Sequence, residues 1–388
     1  MIYSFGARNY FSFKDGFEVS LEFNSKVPKS ISRSKKVSNI LGIKGANASG
    51  KTNILKCLKF LAWFTTESFK SEPSDAMHLS AFFGNTKPSD FYIDFTQNGV
   101  RYRYELTTTR TLVIREAVYK KVTRKTPLLE RKHNSITYRT SDLAGIDLIT
   151  LRDNASIIDT VEHYKLKDIG DDLSNIHRFF STFGGNVHGF GIVSDTTLYN
   201  YGSISKLYHE HPEALSFASK IIQEADLGIS GLGIHQSESA DGKTRYFPVF
   251  LHNAQCGYGG ENWLTYHEES DGTSALYRRL YQYWKVLKTG GVLVMDEFDT
   301  NFHPDLLPKF LDLFLSEDSN PNDAQFIFTS HNLEIMDYLG KYRTYLVSKE
   351  CGESFCYRLD EIPGDIIRND RSISALYRDG KLGGVPKI

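Results

Sequence analysis

Gly45-Ala46-Asn47-Ala48-Ser49-Gly50-Lys51-Thr52 decides the reading of this chain. It fits G-x-x-x-x-G-K-[ST], in which glycines let the backbone curl so that successive amide hydrogens face a phosphate. The helix that follows adds the positive end of its dipole. The context agrees. Ile40-Leu41-Gly42-Ile43 reads as a short buried strand, and the stretch from Thr52 to about Phe64 is apolar at helical spacing. Asn47, Ala48, Ser49 and Gly50 would wrap the phosphates of ATP, Lys51 would reach the β- and γ-phosphates, and the Thr52 hydroxyl would take a place on Mg²⁺.

Downstream, Gly291-Val292-Leu293-Val294-Met295-Asp296-Glu297 is an apolar strand ending in two adjacent carboxylates. Open parallel sheets bind ligands at such strand ends. Asp296 suits the shell of Mg²⁺, and Glu297, one residue farther out, suits polarising an attacking water. His331 follows another apolar run, Phe326 to Ser330, where an imidazole could hydrogen-bond the γ-phosphate and report its loss. A polar Ser-x-Gly turn, Ser270-Asp271-Gly272, precedes the helical stretch Ala275 to Leu287. Ser, Asp and Thr at that place are ordinary capping residues, and the turn is also fit to receive phosphate.

Around these motifs the pattern changes character. The first 40 residues alternate over short runs, as in Ile2 to Phe5 and Phe17 to Phe23 with Asp15-Gly16 between them, which predicts antiparallel strands and a tight turn. Strands return in Phe91 to Phe95, Val100 to Leu106 and Leu112 to Val122. Between about Asn154 and Gln223 the spacing is helical, with Ile157, Ile158, Val161 and Tyr164 as one stripe and Ile176, Phe179 and Phe180 as another. Beyond Gly291, strand and helix alternate: Val292 to Met295, Leu306 to Leu315, Gln325 to Thr329, Leu333 to Leu339, Thr344 to Ser348. Such alternation argues for a parallel sheet covered by helices. The predicted organisation is an amino-terminal lobe (1–150), a helical insertion (151–225) and a carboxy-terminal lobe (226–388).

Composition narrows the classes. The chain has 388 residues, 40% apolar and 24% charged, which fits a folded globular protein and neither a disordered chain nor a disulfide-stapled miniature. Forty-six Lys and Arg against 47 Asp and Glu leave no global field for gripping nucleic acid or an anionic membrane, so any such binding must be local. A local candidate is Lys120, Lys121, Arg124 and Lys125 followed by Arg131 and Lys132. It reads as solvated surface, with DNA or an acidic partner protein as the alternatives. Four cysteines, Cys57, Cys256, Cys351 and Cys356, are too sparse for a disulfide scaffold or a zinc site. No run approaches a bilayer span, and Met1 to Phe13 lacks the apolar core of a secretory signal, so a cytoplasmic protein without membrane contact is expected.

The four motifs together resemble the ABC-type ATPase head, and more closely its SMC-like branch. The opening Ala7-Arg8-Asn9-Tyr10-Phe11-Ser12-Phe13 is similar to that family's first strand and turn beneath the nucleotide. The resemblance implies an α/β P-loop head with a parallel core sheet, an antiparallel amino-terminal subdomain and a helical insertion. It further implies a nucleotide sandwiched in a homodimer or higher homo-oligomer, with Ser270 and Gly272 acting on the partner's ATP, Asp299 in the loop after the carboxylates, and His331 as the switch histidine. The signature departs from the transporter form. For the family's glutamine loop, Gln97 is the candidate.

Three segments, Asp296 to Pro304, Glu269 to Thr273 and Ser374 to Pro386, resemble the RloA/AbiL-type ATPases of bacterial abortive-infection loci, relatives of the OLD nucleases and of the PARIS ATPase AriA. That resemblance implies sensing or switching in anti-phage defence, with a phage protein as trigger. OLD enzymes carry a Toprim nuclease after the ATPase. The stretch beyond His331 is too short for one, and its Glu350, Glu353, Asp360, Glu361 and Asp365 read as a solvated turn region. An effector on a separate chain, a Toprim-type nuclease for example, is therefore expected. Asp171 and Asp172 beside His163 and His177 mark the one place where the insertion could hide a nuclease site. The rival reading is an ATPase that clamps DNA in recombination, repair or restriction.

Overall fold

A computed structural model describes the chain except for residues 122–123, 167–168, 189–190, 193–199, 239–241, 254–261, 365, 368–371 and 385–388. Strands β1 (Ile2–Arg8) and β2 (Phe17–Ser20) pair antiparallel, with Ser4 opposite Ser20. After a one-turn helix α1 (Lys29–Ser32), strand β3 (Ile40–Gly45) is buried at every position, as an apolar strand covered on both faces must be. It feeds residues 46–50 and then α2 (Lys51–Glu67), which buries Ile54, Leu58 and Leu61 at helical spacing.

Strands β4 (Ser89–Gln97), β5 (Val100–Thr108), β6 (Val113–Lys121), β7 (Lys125–Lys132) and β8 (Ser135–Arg139) extend β1 and β2 into one antiparallel sheet, in the order β2-β1-β4-β5-β6-β7-β8. Of the predicted strand from Leu112 to Val122, the last residue lies outside the described ones. On one face of this sheet Glu116 and Arg131 form a fully buried ion pair at 2.8 Å. Tyr104 and Ser156 donate hydroxyl hydrogens to Glu116, and the Arg131 guanidinium donates to the carbonyls of Arg152 and Ala155.

Four residues of the basic stretch on β6 and β7 are engaged by carboxylates, while Arg124 and Lys132 are exposed. Lys120 pairs with Asp172 at 2.8 Å, Lys121 with Asp94 at 3.7 Å and Lys125 with Glu105 at 2.6 Å, while Arg131 is the buried partner just described. Asp172 also accepts from the Tyr102 hydroxyl at 2.6 Å, and the His163 ring packs against Phe69 with centroids 4.2 Å apart. Asp172 is thus tied into the sheet, while Asp171 is exposed beside it.

The segment 151–225 holds helices α3 (Ile157–Tyr164), α4 (Asp172–Ser181), α5 (Tyr201–Glu210) and α6 (Pro212–Ala225). Both predicted stripes face the core except at Tyr164, which is exposed. The segment is not purely helical. Between α4 and α5 lie the short strands β9 (Phe183–Gly185), β10 (Val187–His188) and β11 (Gly191–Ile192), and β9 joins the central sheet. A Phe-Gly-Gly strand has neither alternation nor β-branched residues, so its pairing is a tertiary event that sequence periodicity cannot carry. A second antiparallel unit, β12 (Ile229–Glu238), β13 (Thr244–His252) and β14 (Trp263–Thr265), also went unread.

The remaining elements are α7 (Asp271–Thr289), β15 (Val292–Met295), α8 (Leu307–Leu315), β16 (Gln325–Thr329), α9 (Glu334–Leu339), β17 (Thr344–Glu350), β18 (Glu353–Arg358) and α10 (Ile373–Arg378). The central sheet runs β18-β17-β3-β16-β15-β9. All neighbours are parallel except β17 and β18. Met295 stands opposite Phe328 and Ile43 opposite Thr329, so the loops after β3, β15 and β16 emerge at one edge. Of the acidic stretch after Ser348, expected as turns, Glu350 and Glu353 belong to the β17–β18 hairpin, and Asp360 and Glu361 to the single 3₁₀ turn that follows it. There Asp360 pairs with Arg358 at 2.5 Å and Glu361 accepts from the Arg358 amide at 3.0 Å; Asp365 lies outside the described residues. Among the described residues no helix is long and apolar enough to cross a membrane.

Candidate active site

Parallel strands present their carboxyl ends together, and here three such ends build the site. The loop after β3 is tight. Gly50 takes φ +112°, and a Cβ there would stand 2.8 Å from Ser354 Oγ and 2.9 Å from Ser12 Oγ. Ala48 is also left-handed, at φ +60°. Lys51 begins α2 and is buried. Its ammonium donates to the carbonyls of Gly45 and Ala46, both at 3.0 Å. Burial pushes its pKa down, while Asp296, Glu297 and Asp299 pull it up.

Thr52 reaches across to the second strand end, donating its hydroxyl to Asp296 Oδ2 at 2.6 Å. The other oxygen of Asp296 accepts from the Thr329 hydroxyl, and that same hydroxyl accepts the Glu297 amide at 2.8 Å. Thr329 ends β16, so one side chain of the third strand fixes both carboxylate positions. Glu297 sits at φ +49°, a conformation that costs a non-glycine residue about 1 kcal/mol or more and persists only when neighbours hold it. The bend turns its side chain out of the strand line. Glu297 Oε1 stands 3.4 Å from His331 Nε2, with both side chains about half exposed.

Asp299 accepts the amides of His331 (3.0 Å) and Asn332 (3.0 Å), which shapes the loop carrying the histidine. Lys44, buried beneath, donates to the His331 carbonyl. Burial lowers the Lys44 pKa to about 8, with Asp299 opposing and Lys51 reinforcing the shift. Of the residues predicted from sequence, the structure therefore brings together Asn47 to Thr52, Asp296, Glu297, Asp299 and His331.

Ser270 and Gly272 behave differently. Ser270 caps α7, accepting the Thr273 amide at 3.1 Å and sharing a hydroxyl hydrogen bond with Thr273 at 2.9 Å. Gly272 lies beside the loop after Asp299, where a Cβ would stand 3.4 Å from the Asn301 carbonyl. Ser270, Asp271, Thr300 and Asn301 are all exposed there.

Gln97 does not suit the glutamine position. It ends β4, and the register that sets Arg8 opposite Asp90 and Ile2 opposite Phe95 carries it to the end of the sheet away from the Arg8–Phe13 turn. The amide beside the carboxylates is Asn186, just after β9. It accepts the Asp296 amide at 2.8 Å and donates to the Asp296 carbonyl at 2.9 Å. Sequence reading passed over Asn186, Thr329 and Lys44. Thr329 and Lys44 each stood within two residues of a motif residue, a signal that was present.

The family described as "AAA domain, putative AbiEii toxin, Type IV TA system" matches residues 40–337, from β3 through α9. The chain belongs to this AAA family. The AAA domain is an ATPase domain, and its matched span holds every motif residue described above. No curated protein matches the chain in sequence. Among solved structures, an SMC head bound to the C-winged helix domain of ScpA is 13% identical with TM-score 0.51, over 92% of this chain and 96% of that one. The SMC head domain from Thermotoga maritima is 16% identical with TM-score 0.45, over 92% and 98%. The AAA domain thus has the SMC-head-like α/β fold, with its mixed central sheet and antiparallel subdomain.

Proposed function

We propose that this AAA domain is a Mg²⁺-dependent ATPase of the RloA/AbiL type that works as a sensor or switch in bacterial anti-phage defence and controls an effector carried on a separate chain. The observation that carries the ATPase chemistry is the bond from Thr52 to Asp296, which joins the phosphate loop to the carboxylate strand. The residues fit MgATP on their own geometry. Ser49 Oγ is buried without a hydrogen-bond partner inside the loop. Backbone amides of residues 47–52 and the Lys51 ammonium bind phosphate, while Thr52 and Asp296 would hold Mg²⁺. Mg²⁺ supplies charge neutralisation on the phosphate oxygens. Glu297, turned outward and anchored through its amide, orients the attacking water, and His331 beside it contacts the terminal phosphate.

Ser270 and Gly272 belong to an exposed rim with Thr300 and Asn301, and their own hydrogen bonds are those of a helix cap. On this reading the rim meets the nucleotide of a second copy, which makes the active form a homodimer or higher homo-oligomer. The pairing of Lys120, Lys121 and Lys125 with carboxylates weakens the basic stretch as support for a DNA clamp, with Arg124 and Lys132 still exposed there, and favours a protein trigger and a protein effector. Co-purification tests this. A tagged Glu297→Gln chain expressed with the product of its neighbouring gene should retain that protein in ATP and release it when Lys51→Ala is used instead. Salt-sensitive DNA binding by the chain alone, with no nucleotide-dependent protein capture, would favour the clamp.

A further inference from the structure

We propose that the pocket between the start of α5 and strands β13 and β14 is a second ligand site, separate from the edge formed by β3, β15 and β16. It takes a nucleoside phosphate, with the base stacked on Tyr201 and the phosphate held by Arg245 and Lys206. The pocket measures about 670 Å³, within the range of small-molecule sites. Its walls come from α5 and the residue before it, from β12, β13 and β14, and from Tyr266 and His267 just after β14. No residue of the phosphate loop or of the carboxylate strand contributes.

Charge selects an anion. Lys206 and Arg245 line the pocket, and among the described residues no Asp or Glu does. Arg245 is exposed and has no ion-pair partner among the described residues. Lys206 has only Glu210, 3.8 Å away with both side chains exposed, a pairing that contributes little and leaves the ammonium available. The first turn of the ten-residue helix α5 adds the positive end of its dipole at the same wall. A guanidinium can offer phosphate two parallel hydrogen bonds.

Flat aromatic surface narrows the class further. Tyr201 and Tyr266 stack with ring planes 15° apart and centroids 4.8 Å apart, and the His267 ring meets Tyr201 edge-on at 5.2 Å. Arg278 stands over the Tyr266 ring at 5.6 Å. Both tyrosines are only partly buried, although they stack on each other. An acidic peptide would need the cations alone, whereas aromatic rings beside cations suit a base joined to a phosphate. Ser203, Ser237 and Thr244, exposed in the same walls, supply hydroxyls for sugar and base edges.

The walls are held in place before any ligand arrives. The Ser205 and Tyr277 hydroxyls share a hydrogen bond at 2.8 Å and Tyr208 donates to the Tyr277 carbonyl at 3.0 Å, so buried bonds fix α5 to α7. Ser274, in the first turn of α7, donates its hydroxyl to the Tyr266 carbonyl at 3.2 Å. Asn200 accepts the Gly202 amide at 2.9 Å and sets the start of α5. Side chains ordered in advance lose little freedom on binding.

Calorimetric titration of the Lys51→Ala chain, whose phosphate loop is disabled, reads this pocket apart from the ATP site. The probes are adenylate and uridylate, each as the 5′-mononucleotide and as a 5′-phosphorylated tetramer. At least one should bind, and Tyr201→Ala and Arg245→Ala, each added to Lys51→Ala, should weaken it by about tenfold or more, whereas Tyr201→Phe should stay within about twofold. Equal affinity for mononucleotide and tetramer would identify a free nucleotide as the ligand, and tighter binding of the tetramer an exposed single strand. Binding of no probe, or binding that either alanine variant leaves unchanged, would overturn the proposal. Capture of oligoglutamate that depends on Arg245 and not on Tyr201 would overturn it in favour of an acidic protein segment. Arg245 is exposed, so its replacement keeps the test independent of folding.

Discussion

Thr329 places its single hydroxyl between Asp296 and Glu297, donating to the carboxylate of the first and accepting the backbone amide of the second at 2.8 Å. The two acidic residues are adjacent in sequence, yet the strand that fixes them is another one, and the strained φ of Glu297 depends on that outside support. Thr329→Val keeps the shape and removes both bonds. Hydrolysis should fall by about tenfold or more while ATP affinity stays within a few-fold, because the loop that binds phosphate is untouched. Steady-state turnover beside equilibrium binding checks this, and a parallel loss of both would mean that Thr329 supports the phosphate loop.

Lys44 gives the site a pH dependence. Burial holds its pKa near 8, so at pH 9 the free protein carries it mostly neutral, whereas at pH 7 it is charged. Bound phosphates favour the charged form. ATP binding should therefore take up protons at pH 9 and almost none at pH 7, and affinity should weaken as pH rises through 8. Calorimetry in buffers of different ionisation enthalpy reads the uptake directly, and Lys44→Met should abolish most of it.

Ser270 has a structural duty that can be separated from any duty toward a partner. As a helix cap, Ser270→Ala should cost about 1 kcal/mol of stability. Ser270→Asp keeps a good capping residue and should restore stability, while placing a negative charge where a neighbour's phosphate would lie. Stability restored with hydrolysis still lost is the expected pattern. Full hydrolysis in Ser270→Asp would leave the serine as a cap alone.

The buried pair of Glu116 and Arg131 should be intolerant of losing one member. Arg131→Met strands a fully buried carboxylate and should destabilise the protein by about 3–5 kcal/mol, more than Lys120→Met, whose lysine is partly exposed and whose partner Asp172 keeps the Tyr102 hydroxyl. Chemical denaturation of both variants makes the comparison.

The parts of this molecule that sequence made legible are those whose signal is local. The phosphate loop, the apolar strands Val292–Met295 and Gln325–Thr329, and the Asp296-Glu297 pair each announce themselves within a few residues. What stayed hidden depends on contacts far along the chain. Strand β9 exists because Phe183 to Gly185 meet β15 more than a hundred residues later, and Asn186 gains its place beside Asp296 by the same contact. Lys120, Lys121 and Lys125 looked like a patch because the carboxylates that pair with them, Asp172, Asp94 and Glu105, come from other elements. The turn-like acidic tail hid the strand β18, whose Phe355 and Tyr357 alternate with Ser354 and Cys356 over too few residues to stand out.

On the proposed function, the edge formed by β3, β15 and β16 binds and hydrolyses ATP, with separate residues for each task. ATP affinity and single-turnover hydrolysis measured together on the wild type, Lys51→Ala and Glu297→Gln test it most directly. Lys51→Ala should lose most of its affinity, and Glu297→Gln should bind ATP like the wild type while hydrolysing it at least a hundredfold more slowly. Wild-type hydrolysis in Glu297→Gln, or wild-type affinity in Lys51→Ala, would contradict it.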